Sequence, residues 1–62
     1  MKSITLFTSR GSWIARFDDP EVIAIMGTCD VPTAFTDQAS AGPVAEEIGR
    51  RNPGHTIIVR AK

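Results

Sequence analysis

The chain has 62 residues, one cysteine and one histidine, and its seven basic and seven acidic residues cancel. A domain this small buries only about 60% of the surface that its unfolded chain exposes, so it needs very good packing, a covalent staple or a partner. One cysteine cannot form an internal disulfide, and one cysteine with one histidine cannot fill the four positions of a structural zinc site. Packing or a partner therefore has to stabilise a single domain over residues 1–62.

The composition points to the cytoplasm and away from membranes. Residues 1–8 carry no apolar run of the length found in a signal peptide. The longest apolar run, residues 22–26, is far shorter than the roughly 20 residues that cross a bilayer. The unpaired thiol of Cys29 indicates a reducing compartment. We therefore expect a cytoplasmic protein with no membrane partner, and its balanced charge gives it no overall attraction to nucleic acid.

Two short runs at the start of the chain have the pattern of a β-hairpin. Residues 3–8 and 12–17 are rich in β-branched and aromatic side chains, and Gly11 between them can take the left-handed backbone conformation of a tight turn. Alternation along the two strands places one set of apolar side chains on a common face: Ile4, Leu6, Trp13, Ala15 and Phe17. Phe7 is expected on the opposite face.

A short helix or a strand follows the hairpin. Asp19 is a good N-cap, Pro20 suits the first helical position, and Gly27 is a natural stop. The β-branched residues within 22–26 would also suit a strand, but the agreement of the start and stop signals favours a helix. In either conformation this segment has no polar face, so it has to be buried in the fold or against another molecule.

The second half of the chain predicts a strand, a longer helix and a last strand. In order, we expect a loop over 28–32, a strand over 33–36, a helix from 40 or 42 to 51, and a strand over 56–60. The whole chain is therefore predicted to form an α+β fold with a three- to four-stranded antiparallel sheet. Its order is hairpin, short helix, strand, helix and strand, with helix packed on one face of the sheet.

The residue types of catalysis are present but form no complete motif. Cys29 and His55 could serve as nucleophile and base, with Asp30 or Asp37 to orient the base. The negative charge of Asp30 disfavours a thiolate beside it, so we expect Cys29 to be a small buried or half-buried thiol. His55 follows a Pro-Gly turn and is expected on the surface. We predict no enzymatic activity, no metal and no cofactor.

The acidic cluster formed by Asp18, Asp19 and Glu21 resembles a cation site in composition only. Three carboxylates around Pro20 are better explained by the capping of a helix start. The sequence therefore predicts a structural role for these acids.

The last strand is the most informative feature of the sequence. Three consecutive apolar residues at 57–59 require burial on both faces of the strand, although one layer of helix covers only one face. A second copy of the chain is the simplest cover for the other face. We therefore predict a protein-interaction or assembly module, a homodimer or larger, or the partner of another small protein. Its predicted interface residues are Val22, Ile23, Ile25, Met26, Ile57, Ile58 and Val59.

A second hypothesis is a small RNA- or DNA-binding domain that uses the basic end of the chain. After Glu47 the chain has no acid, and its cations could meet phosphates if they converge on one face. Arg16 could add to this face, and Phe7 could stack on a base. The candidate contacts of the basic region and the hairpin turn are Arg10, Arg50, Arg51, Arg60 and Lys62.

Four hairpin positions resemble the glycine, aromatic, alanine and aromatic pattern of HicB-like antitoxin domains: Gly11, Trp13, Ala15 and Phe17. In those domains the hairpin is followed by a third strand, a polar turn and a helix, and residues 35–40 leading into 44–48 look similar to that second half. The resemblance covers residues 3–51. It implies a small sheet-and-helix domain that self-associates and masks a small RNA-cleaving toxin.

The chain also departs from that family's pattern. Residues 22–31 form a longer connection than is usual there, and Ala41-Gly42-Pro43 replaces the acidic, alanine-rich start of the family's helix. The DNA-binding segment that many such antitoxins carry after this domain is not found in the sequence. The resemblance therefore implies toxin binding without repression of DNA.

Overall fold

The computed structural model describes residues 2–60. It confirms the predicted α+β class, with a four-stranded sheet and two helices. No helix in this part of the chain has the length and apolar character needed to cross a membrane. In chain order the elements are β1 (Ser3–Ser9), β2 (Ser12–Phe17), α1 (Pro20–Met26), β3 (Asp30–Thr36), α2 (Ala41–Arg51) and β4 (Thr56–Val59).

The predicted hairpin is confirmed and its turn is tight. β1 and β2 pair antiparallel from Ile4 opposite Phe17 to Ser9 opposite Ser12. The two turn residues between them both have positive φ, 52° at Arg10 and 80° at Gly11. Positive φ at both central positions gives the turn the twist that matches a pair of right-twisted strands. The hairpin therefore forms the centre of the sheet, whose order is β3-β2-β1-β4.

The last strand differs from the expected antiparallel arrangement, because β4 pairs parallel with β1. β3 runs antiparallel to β2, and β2 runs antiparallel to β1, so β3 and β1 point the same way. α2 then carries the chain across the sheet from β3 at one edge to β4 at the other. A crossover through a helix returns the chain in the direction of the strand before it, and the sheet is consequently mixed.

The third strand begins earlier than predicted, at Asp30 instead of Thr33. Asp30 and Pro32 are unfavourable in strands, which is why the sequence indicated a loop. β3 lies at an edge, however, where a proline needs no ladder hydrogen bond. Asp30 is held by Arg16 on β2, which donates from Nε at 2.8 Å and from a terminal nitrogen at 3.2 Å. Tertiary pairing with β2 therefore extends the strand.

The short helix α1 is confirmed with its predicted caps. The Asp19 carboxylate accepts a hydrogen bond from the Glu21 N–H at 3.0 Å. Gly27 ends the helix with φ of 77°, and its N–H donates to the Ile23 carbonyl. Local signals thus overrode the strand preference of the β-branched residues between the caps.

The core lies between α2 and one face of the sheet, here called the inner face. Its buried members are Ile4, Leu6, Trp13, Ala15 and Val44. The Trp13 indole N–H donates to the Ala39 carbonyl at 2.9 Å, which ties the loop before α2 to the centre of the sheet. The opposite face, the outer face, carries Phe7, over whose ring the Arg16 guanidinium lies at 4.9 Å.

Candidate interaction surface

The three apolar residues of β4 lie in three different environments. Ile57 pairs with Ile4 on the inner face and packs against the core. Ile58 pairs with Thr5, so it points to the outer face, and it is 46% exposed. Val59 returns to the inner face but remains 43% exposed. The sequence predicted that both faces of this strand require burial. The fold leaves Ile58 and Val59 partly exposed, one on each face.

The backbone of β4 is also open on one side. The N–H groups of Thr56 and Arg60 donate to the carbonyls of Lys2 and Leu6, both at 2.9 Å. Because hydrogen-bonding groups alternate along a strand, the N–H and C=O groups of Ile57 and Val59 point away from β1. We call this outward backbone, together with the exposed side chains of Ile58 and Val59, the β4 edge.

The other edge of the sheet is protected by devices that β4 lacks. β3 contains Pro32 and the charged Asp30, and its register with β2 is irregular between Ser12 and Ile14. Proline, charge and irregular register are common means of preventing edge-to-edge association. β4 consists of one threonine and three apolar residues. The β4 edge is therefore the less protected of the two.

Two of the four predicted interface residues in α1 are exposed to solvent. Ile25 is 82% exposed and Met26 is 51% exposed, whereas Val22 and Ile23 are half-buried. The helix contains no fully buried residue. Its apolar side chains are thus only partly used by the chain's own fold, and their predicted role in an interface stays a prediction.

A groove of about 390 Å³ runs between α2 and the β2–β3 side of the inner face. Phe17 and Phe35 lie in its wall on the sheet side, and Ile48 lies in its wall on the helix side. Arg51, which is 72% exposed, stands at the same groove beside Glu47. No element of the sequence pattern predicted this groove, because it depends on how much of the sheet α2 covers.

The candidate cations do not form one cluster. Arg50 and Arg51 both bind the Glu47 carboxylate on α2, with Arg51 Nε at 2.6 Å. They lie at the end of the sheet where Ser3 pairs with Thr56. Arg10 lies in the turn at the opposite end of β1, and a seven-residue strand separates the two ends by about 20 Å. Arg60 directly follows β4, and Lys62 lies outside the described residues.

The two residues of catalytic type are each found in an unexpected place. Cys29 is exposed, not buried, and its Sγ lies 3.6 Å from an Asp30 oxygen. His55 is largely covered instead of lying on the surface, with 11% of its side chain exposed and its ring edge-on to Phe17. Neither ring nitrogen of His55 makes a hydrogen bond, so the structure contains no Cys29–His55 hydrogen bond.

The burial of His55 belongs to an arrangement that sequence reasoning missed. Its Nε2 lies 3.6 Å from Asp19 Oδ2, and the Lys2 ammonium lies 3.4 Å from the same oxygen. The cap of α1 is therefore surrounded by groups from the start of the chain and from the turn before β4. No local sequence pattern indicates it, because it depends on the parallel pairing of β1 with β4, which brings residues 2 and 55 to one end of the sheet.

The carboxylates around this end act as hydrogen-bond acceptors. The pKa of Asp18 lies below its usual value because the Ser3 N–H and hydroxyl both donate to it at 2.7 Å. Burial by itself would raise the pKa of Asp19, but the Glu21 N–H, Lys2 and His55 outweigh burial and lower it. The predicted capping role of Asp19 is confirmed, and Asp18 holds the start of β1.

The free energy of unfolding is expected to fall as the solution is acidified through about pH 4 and below. The pKa values of Asp18, Asp19 and Asp30 lie below 3.8 in the folded chain, so the unfolded chain binds more protons there. Their contribution is complete well above the usual pKa of an aspartate and is lost as the pH falls through the lower values of the folded chain. Urea titrations between about pH 2 and pH 6 measure this slope.

Two variants at one position separate the charge of Asp19 from its capping role. Asp19→Asn keeps an acceptor for the Glu21 N–H but removes the charge, so it should lower stability at neutral pH by the charge contribution alone and flatten the acid slope. Asp19→Ala should flatten the slope equally and lower stability further, by an amount that does not depend on pH, because it also removes the cap. An unchanged slope in Asp19→Asn would contradict the assignment.

Comparisons with family models, with curated proteins and with solved structures found no match to this chain.

Proposed function

We propose that this chain is a cytoplasmic protein-interaction module that self-associates through the β4 edge. One observation carries the proposal: Ile58 and Val59 are 46% and 43% exposed on opposite faces of the less protected edge strand. Packing of two sheets face to face would cover only one of these side chains. Pairing of two edges brings both of them beside apolar side chains of the same strand in a second copy.

The pairing that fits is antiparallel, β4 against β4 of the second copy. Antiparallel pairing of identical strands has two-fold symmetry, which is the commonest symmetry of protein dimers. It supplies partners for the outward N–H and C=O groups of Ile57 and Val59, and it extends the sheet through both copies. The expected product is a homodimer with one continuous sheet.

The dimer should be of low affinity. Each half-exposed aliphatic side chain gains about 1 kcal/mol on burial, and each backbone hydrogen bond contributes about 0.5–1.5 kcal/mol net. Association itself costs at least about 4 kcal/mol in lost freedom. A strand of four residues cannot exceed this cost by much. A dissociation constant of about 0.1–1 mM is therefore expected.

Lysine at Ile58 tests the interface. Sedimentation equilibrium of the wild-type chain between about 0.05 and 2 mM should show reversible self-association, and Ile58→Lys should raise the dissociation constant at least about 10-fold. Thr36→Lys is the matched control, because Thr36 is an exposed residue at the end of the protected edge strand β3. A monomeric wild-type chain over this range, or equal effects of the two lysines, would contradict the proposal.

The resemblance of residues 3–51 to HicB-like antitoxin domains supports a particular kind of further partner, a small RNA-cleaving toxin. In this part of the proposal the assembled module binds and masks such a toxin. Co-expression with the product of the neighbouring gene, followed by copurification and an RNA-cleavage assay, tests it. A neighbouring protein that neither binds the module nor cleaves RNA would leave only the assembly role.

A further inference from the structure

The groove described above exists because one helix is too narrow for this sheet. Four strands at a spacing of about 4.8 Å need more cover than a single helix about 10 Å wide provides. α2 contacts β4 and packs on the β1 side, so the inner face of β3 and the end of β2 at Phe17 are left open beside it. The lining there includes Phe17, Val31, Phe35 and Ile48. An apolar segment of helical width would complete this layer.

α1 is such a segment, and its own chain does not use it for this purpose. Ile25 and Met26 are 82% and 51% exposed, and no residue of α1 is buried. The helix is joined to β2 just after Phe17 and to β3 just before Val31, and both of these residues line the groove. An exposed apolar helix and an unfilled apolar groove are therefore neighbours on the surface.

We infer that α1 of a second copy docks in the groove, with each helix of a pair seated in the groove of the other. Because the two surfaces are adjacent on one chain, a single two-fold axis beside them can form both contacts at once. This inference rests on the proposed self-association and adds to it a second contact between copies, separate from the β4 edge.

The charges at the two surfaces are complementary. α1 carries the exposed acid Glu21 in its first turn, and no basic residue lies in its last turn. Glu47 and Arg51 line the groove, and Arg50 binds Glu47 from outside the lining, so this group of three side chains has a net positive charge. The acidic helix and the basic groove rim should attract each other, which sets the orientation of docking.

Two independent contacts on one small chain predict an assembly larger than a dimer. The β4 edge joins one pair of copies and the α1–groove contact joins another, so each contact can survive the loss of the other. Only removal of both should give a monomer. This pattern distinguishes the inference from the proposed function, which requires the β4 edge alone.

The experiment is a set of three variants studied by sedimentation velocity at concentrations where the wild type is assembled. Ile25→Lys should reduce the assembly to the dimer formed by the β4 edge, and Ile58→Lys should reduce it to the dimer formed by α1 and the groove. The double variant should be monomeric. An Ile25→Lys chain with the stoichiometry of the wild type would overturn the inference and leave the proposed function intact.

The orientation of α1 in the groove is tested by exchanging two charges. Both charges belong to exposed residues outside the core. Glu21→Lys and Arg51→Glu should each raise the dissociation constant of the α1–groove contact about 3- to 10-fold, and the combined exchange should restore it. Circular dichroism of each variant checks that the fold is retained. Additive losses without recovery in the combined variant would overturn the docking geometry.

Cys29 provides a direct proximity measurement with the natural thiol. It is exposed and follows the end of α1 by three residues, so a nitroxide attached there reports the position of the helix. Mixed with an isotope-labelled Cys29→Ser chain, it should broaden the amide signals of Phe35 and Ile48 in that chain. Broadening absent there, or equal in an Ile25→Lys mixture, would overturn the inference.

Discussion

Replacement of Trp13 by alanine is expected to leave the domain largely unfolded at room temperature. The indole is 1% exposed at the centre of the core. Truncation of a buried tryptophan costs about 3–5 kcal/mol, and the core of a chain of 62 residues rarely supplies more than about 3–5 kcal/mol. Far-ultraviolet circular dichroism and thermal melting measure the loss.

Trp13→Phe is the matched control for this prediction. Phenylalanine keeps most of the ring but cannot donate to the Ala39 carbonyl, which Trp13 contacts at 2.9 Å. The cost should be about 1–3 kcal/mol, and the variant should still unfold cooperatively. A Trp13→Ala chain that melts like the wild type would show that the core lies elsewhere.

Leu6→Ala should have the next largest effect, a loss of about 2–5 kcal/mol. Leu6 is fully buried and lies on β1, one of the two central strands. Few side chains surround it that could shift to fill the space, because only five apolar residues are buried in the described chain. Chemical denaturation of the dilute protein measures the change in the free energy of unfolding.

Ile58→Ala is the control for Leu6→Ala. The two residues lie on neighbouring strands, but Ile58 is 46% exposed and its truncation should cost the isolated chain less than about 1 kcal/mol. Its effect should increase with protein concentration if β4 is an interface, because assembly then contributes to stability. Equal losses in the two variants would place Ile58 in the core.

Local signals in the sequence were sufficient to predict much of this fold. Gly11, Asp19, Pro20 and Gly27 each impose a backbone conformation or supply a cap without help from distant residues, and the structure places the hairpin turn and α1 where these residues indicate. The alternation of apolar residues in the hairpin likewise selected the face that is buried.

The features that were predicted wrongly depend on contacts between distant segments. β4 runs parallel because α2 crosses the sheet, and β3 extends to Asp30 because Arg16 binds it. His55 is buried by its neighbours Phe17 and Asp19, which precede it by more than thirty residues. Residue type and local spacing carry no information on such pairings, so these environments could be found only in the folded chain.

The sequence predicted the exposed apolar segments but not the groove, because only the segments are a local pattern. A run of apolar residues with no polar face is visible in the sequence, and residues 25, 26, 58 and 59 are exposed in the structure. The groove beside α2 is a space between elements, and its existence depends on the width of the sheet relative to one helix. The counterpart that we infer for α1 therefore emerged only from the fold.

The shallow attachment of α1 has a consequence for the motions of the free protomer. A helix without a buried residue, held mainly by its caps and by the contacts of Asp19 with Lys2 and His55, can open while the sheet stays intact. Its amides should exchange with solvent far sooner than those of β1 and β2. Slow hydrogen exchange of the α1 amides would then report docking of the helix against another copy instead of folding. The exchange rate of this helix can therefore be used to measure the fraction of the protein that is assembled.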